Sequence, residues 1–90
     1  MFSAIKDPQA DLDYVFDWTA WLGSDTINAS TWTATPGVTL HGDSIDVGGA
    51  KTVVWISGGT ARVLYTVTNH IVTTSGRRDD RSLILTVADK

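Results

Sequence analysis

Ser57-Gly58-Gly59-Thr60-Ala61-Arg62-Val63-Leu64-Tyr65-Thr66-Val67-Thr68-Asn69-His70-Ile71-Val72 is the stretch that decides the fold. A glycine pair breaks an apolar run, a short polar turn follows, and a tyrosine then opens a long β-branched strand. Val63, Tyr65, Val67 and Ile71 fall on one face; Leu64, Thr66, Thr68 and His70 fall on the other. That period of two predicts a strand buried on one side. A Tyr just after such a turn can fold its ring into the core and bond through its hydroxyl to backbone a few residues upstream, a device that joins two layers of strands.

Upstream, Thr52-Val53-Val54-Trp55-Ile56 is a nearly continuous apolar strand, suited to a sheet packed on both faces or against another subunit. Downstream, Thr74 to Arg81 reads as a hairpin loop, and Ser82 to Val87 as the last strand with Leu83, Leu85 and Val87 inward. Towards the N-terminus, Leu12 to Leu22 alternates, with Tyr14, Phe16, Trp18, Ala20 and Leu22 expected inward and Trp21 outward. After a Gly23-Ser24-Asp25 turn, Thr31 to Ala34 reads as a strand with Trp32 inward. Thr35-Pro36-Gly37 is a turn, Val38 and Leu40 mark a short strand, and Ile45-Asp46-Val47 a weak one. About seven strands with turns every eight to twelve residues make an all-β sandwich. The Gly-Thr turn leading into Tyr-x-Val resembles the fibronectin type III pattern, and the arrangement is immunoglobulin-like. Residues 1–10, with a Lys6-Asp7-Pro8 kink, read as an extended N-terminal arm, and residues 11–90 as one domain.

Composition narrows the function classes. The 90 residues suit one core, and the absence of Cys removes disulfides, thiolate zinc sites and thiol nucleophiles together. A net charge of −3 offers no basic surplus for nucleic acid. No apolar run reaches membrane-spanning length, and residues 1–8 lack the order of a secretion signal, so a soluble chain made in a reducing cytosol is expected. Asn28-Ala29-Ser30 matches the glycosylation acceptor pattern by chance.

Chemistry finds little purchase. Catalysis by a nucleophile needs a base oriented by a third group, and the only candidate bases are His41 and His70. Neither has a nucleophile elbow, and Gly58-Gly59 precedes a strand rather than the helix of a phosphate loop. His41, Asp43 and Asp46 lack metal-ligand spacing, and the chain contains no Glu. The expectation is a protein without catalysis, cofactor, metal or small-molecule substrate. Contact surfaces are the better reading: Phe2 and Ile5 on the arm, Trp21, His41 and Asp43 in a loop, and Arg77, Arg78 and Arg81 on the last hairpin.

One resemblance covers residues 11–90. Asp13 to Trp18, Trp21-Leu22, Gly23 to Ile27, Ser30 to Thr33, Val54 to Thr60, Tyr65 to Asn69 and Gly76 to Leu83 together resemble a family of small tailed-bacteriophage virion proteins, the fibre-to-tail adaptors. The family pattern has Gly where this chain has Arg62. The resemblance implies a non-enzymatic virion structural protein, made in the host bacterial cytoplasm. Its partners would be other virion proteins (tail, fibre or major capsid protein) contacted in multiple copies, with no nucleic acid and no membrane. Small sandwiches also serve as capsid cement, and a loop-borne glycan- or ligand-binding module is the alternative from another class.

Overall fold

A computed structural model describes residues 2–7 and 9–88, with side chains from residue 5 onward. Its strands are β1 (Phe2–Lys6), β2 (Leu12–Asp17), β3 (Ile27–Ala34), β4 (Val38–Ile45), β5 (Lys51–Gly58), β6 (Leu64–Thr73) and β7 (Arg78–Val87), with one helical turn, α1 (Thr19–Leu22). They form a four-stranded sheet in the order β1-β7-β6-β3 and a three-stranded sheet in the order β2-β5-β4. Strands two, five and four in one layer facing three, six and seven in the other is the immunoglobulin partition. The sandwich is antiparallel except for β1, which runs parallel to β7.

Between the sheets lie Phe16, Trp18, Val54, Ile56, Tyr65, Val67, Ile71, Leu83, Leu85 and Val87, all buried. Apart from Trp18, which follows β2, each comes from alternate positions of its strand, as a two-residue period requires. Tyr65 opens β6 with its ring in this core, and its hydroxyl accepts the Thr60 N–H at 2.9 Å, five residues upstream. A Cβ on Gly37 would lie 2.6 Å from Tyr65 Cε1, so glycine is needed where that turn crosses the ring. In β3, Trp32 is half-buried, its ring 5.1 Å from that of Phe16 in the facing sheet.

A second tie between the layers is polar. Asn69 is fully buried in β6, and every hydrogen-bonding position of its amide is used. Its Oδ1 accepts from Thr52 Oγ1 at 2.6 Å and Trp18 Nε1 at 3.1 Å. Its Nδ2 donates to Ser30 Oγ at 2.9 Å and to the Thr31 carbonyl at 3.1 Å. A third tie comes from β1. Lys6 points inward, fully buried, and its Nζ donates to the carbonyls of Gly58 at 2.6 Å and Asp7 at 2.8 Å.

Several local expectations need correction. The strand from Leu12 ends at Asp17, and the next residues form α1. Trp18 and Leu22 stay buried while Ala20 is exposed, because a spacing of four satisfies a helical turn as well as a strand. The Asp17 carboxylate accepts the Thr19 N–H at 2.9 Å, which holds the change of direction. His41 to Ser44 is not a loop between two strands but the middle of one strand, β4, with a bulge. The last hairpin is shorter than expected, since β7 begins at Arg78. Residues 2–6 of the arm are extended and hydrogen-bonded to β7 as an edge strand.

Candidate partner-docking surfaces

The outer face of the three-stranded sheet is built by the residues that alternate with the core. Register sets Asp13, Trp55 and His41 in one row across β2, β5 and β4, and Val15, Val53 and Ser44 in the next. Val15 and Trp55 are exposed and Val53 is half-buried, so β5 packs on one face within this chain and presents apolar side chains on the other. The bulge lies where β4 passes Trp55. Gly42 has φ +59, and a Cβ there would be 3.1 Å from Trp55 Cδ1. The Trp55 ring therefore lies against bare backbone, with the His41 ring 6.3 Å away. His41 Nε2 is 2.9 and 3.1 Å from the carboxylate oxygens of Asp11. Asp43 is exposed on the bulge.

A different constellation occupies the end of the sandwich that carries α1. Trp21 is half-buried on that turn rather than exposed on a strand, its ring edge-on to Trp18 at 5.6 Å. The Arg77 guanidinium lies 4.4 Å above the Trp21 ring, and its Nη2 donates to the Leu22 carbonyl at 2.9 Å. Arg81 lies 4.1 Å over Trp18 and donates to the Asp17 carbonyl at 2.8 Å. These cations take up carbonyls at both ends of α1, which a helical turn leaves unpaired at its C-terminal end. Arg78, between them, is exposed.

Asp25 completes that end. It accepts from Ser75 Oγ at 2.5 Å, from the Thr26 N–H at 2.9 Å and from Arg77 Nε at 3.2 Å. These bonds, the Ser75 hydroxyl first among them, hold its carboxyl well below the usual carboxylate range. Thr19 hydrogen bonds likewise lower Asp17.

The outer face of the four-stranded sheet is mostly hydroxyls: Thr31, Thr33, Thr66, Thr68 and Ser82, with His70 bonded to Asp80 across β6 and β7. Ile5 of β1 is exposed at this face beside Thr86, in register with Leu64 on the far side. The side chain of Phe2 lies outside the described residues.

The structure thus gathers Trp21, Arg77 and Arg81 at one end and puts His41 and Asp43 on the small sheet. Ile5 stands apart from both groups. Trp55, Val15 and Asp13 complete the His41 surface; sequence reasoning reads Val15 as an outward apolar residue but did not single out Trp55. A strict alternation test on β5 would have done so, because Val54 and Ile56 are the buried pair and Trp55 falls between them. Among the described residues no three His, Asp or Glu side chains come together to hold a metal ion.

The model of a family described as podophage GP4 fiber-tail adaptor protein gp77 matches residues 6–86. No curated protein matches the chain.

Proposed function

The chain belongs to the podophage GP4 fiber-tail adaptor protein gp77 family, and we propose that it acts in the virion as the piece through which a fibre protein is held to the tail, without catalysis. The family match over 6–86 carries this reading, because it spans β2 to β6 whole, β7 up to Thr86 and the last residue of β1, Lys6. The physical design agrees with it. An adaptor needs a stiff body and separate surfaces for separate partners. Three ties stiffen this body: the Tyr65 hydroxyl, the Asn69 network and the Lys6 amino group. The apolar small-sheet face and the Arg78 end differ in chemistry, as surfaces for different neighbours would.

Synthesis in the host cytoplasm and use in several copies per particle, following the symmetry of the tail, complete the proposal. Neither capsid cement nor a glycan-binding module gains an observation of its own.

Particles assembled without this chain, imaged by cryo-electron microscopy, test the role. They are expected to keep heads and tails but to lose ordered fibres, and purified chain added back is expected to restore density at the junction. Fibres attached normally in its absence would remove the adaptor reading.

A further inference from the structure

Two outer faces cover this sandwich, and they are chemically unlike. The middle of the four-stranded sheet's face carries threonine and serine hydroxyls, which water solvates easily, and its exposed apolar side chains, Ile5 and Leu64, lie at one end of the sheet on either side of Thr86. The face of the three-stranded sheet has an apolar centre. Val15 is 51% exposed and Trp55 39% exposed, side by side on neighbouring rows with Val53 between β2 and the bulge of β4.

A tryptophan left open in mid-sheet is costly unless something covers it, and tryptophan is the side chain most often found at the centre of a binding surface. Here it is also held in place. The ring rests on the Gly42 backbone, which leaves it few alternative rotamers before any partner arrives.

The rim of the patch is acidic. Asp13 stands in the Trp55 row and Asp43 on the adjoining bulge, and among the described residues neither has an ion-pair partner. Asp11 sits with His41, and Asp17 pairs in register with Lys51, the only Lys or Arg on these strands.

From this pairing of a fixed apolar centre with uncompensated carboxylates, we infer that the outer face of β2-β5-β4 is a docking surface for a partner protein segment carrying an apolar or aromatic side chain flanked by Lys or Arg. The apolar side chain would cover Trp55 and Val15, while the flanking cations meet Asp13 and Asp43. A second copy of this chain fits poorly by the same face, because Lys51 is the one Lys or Arg its three strands offer to meet Asp13 and Asp43. The inference rests on the adaptor reading and adds which face is used and what chemistry it takes.

Particles assembled without this chain serve as the probe, titrated with purified chain at low and high NaCl. Trp55→Ala is expected to weaken binding about thirtyfold. Asp13→Asn is expected to weaken it about threefold and to reduce its salt dependence. Leu64→Ser, on the opposite sheet, is expected to bind as the parent does. Thermal melts establish that each variant folds, and Val15→Ser replaces Trp55→Ala if the latter does not.

Parent binding matched by Trp55→Ala or Val15→Ser, or salt-independent parent binding matched by Asp13→Asn, would overturn the docking face and leave the adaptor role standing. Failure of the parent chain itself to bind would remove the adaptor role and the face together. An isolated chain that dimerises in sedimentation, and ceases to on Trp55→Ala, would make the occupant a second copy and overturn the basic partner.

Discussion

Arg62 is the sole non-glycine residue with positive φ among the described residues, at +70. Its N–H bonds the Val87 carbonyl at 2.7 Å, so the turn before Tyr65 holds it in the left-handed region. A side chain there costs about 1–2 kcal/mol, which a glycine avoids at the expense of about 0.4–1 kcal/mol in unfolded-chain entropy. Arg62→Gly should therefore raise stability by about 0.5–1 kcal/mol in urea unfolding. A loss instead would show that the Arg62 side chain contributes more than its backbone strain removes. Asn69 presents the opposite case. Replacing it with Ala leaves Thr52, Trp18 and Ser30 without their shared partner in a buried site, and should cost about 3 kcal/mol. A cost under about 1 kcal/mol would mean the network contributes little. Tyr65 was legible in the sequence because a glycine turn and an alternating strand frame it. Asn69 was not, although alternation puts it on the Tyr65 face, because a polar side chain there ordinarily suggests an outward position.

At the scale of elements, α1 and the β6–β7 hairpin hold one another. Arg77 reaches from the hairpin to the carbonyl of Leu22, while Asp25, just after α1, takes the Ser75 hydroxyl and Arg77 Nε. Alternation concealed α1 because residues 18 and 22 satisfy both strand and helix. It concealed the continuity of β4 because His41-Gly42-Asp43-Ser44 has the composition of a loop, and only pairing with β5 makes it a bulged strand. The hairpin arginines were legible as notable, but sequence could not show that Arg77 and Arg81 turn back onto their own chain. The latch has a pH signature. The Asp25 carboxyl is lowered in the folded state, so its contribution is complete above the ordinary carboxylate value near 4 and declines as pH falls below it. Urea midpoints measured from pH 7 to 2 should drop in the acid limb for the parent chain. Asp25→Asn should be less stable at pH 7 and show a shallower acid limb, with Asp17 supplying part of what remains. Parallel curves for the two proteins would show that the carboxylate is not the titrating partner of the latch.

For the whole molecule, the count of about seven strands was readable, but it was reached through a different partition. The two short strands expected around His41 are one, and the extended arm supplies the missing member by pairing with β7. A terminal segment with a Lys and no clear period gives no sign that it will join a sheet, because its burial is created by the Gly58 carbonyl far along the chain. The consequence concerns edges. With β1 in place, the larger sheet ends in a five-residue strand whose inward lysine is tied to the opposite layer, and such a short, charge-bearing edge resists pairing with other chains. Without it, the ten residues of β7 become the edge, alternating buried Leu83, Leu85 and Val87 with half-buried neighbours. Deleting residues 1–7 should lower Tm by about 10 °C, the equivalent of about 2 kcal/mol for a domain of this size, and should make the chain self-associate. Lys6→Met keeps the strand and removes only the Nζ donors, so it should lose about 1–2 kcal/mol yet stay monomeric. Thermal melts with sedimentation velocity on the parent chain and these two variants separate the contributions. Self-association of the truncated chain alone assigns edge protection to β1 and cross-layer stability to Lys6, whereas a truncated chain that stays monomeric with unchanged Tm would mean the sandwich is complete without its first strand.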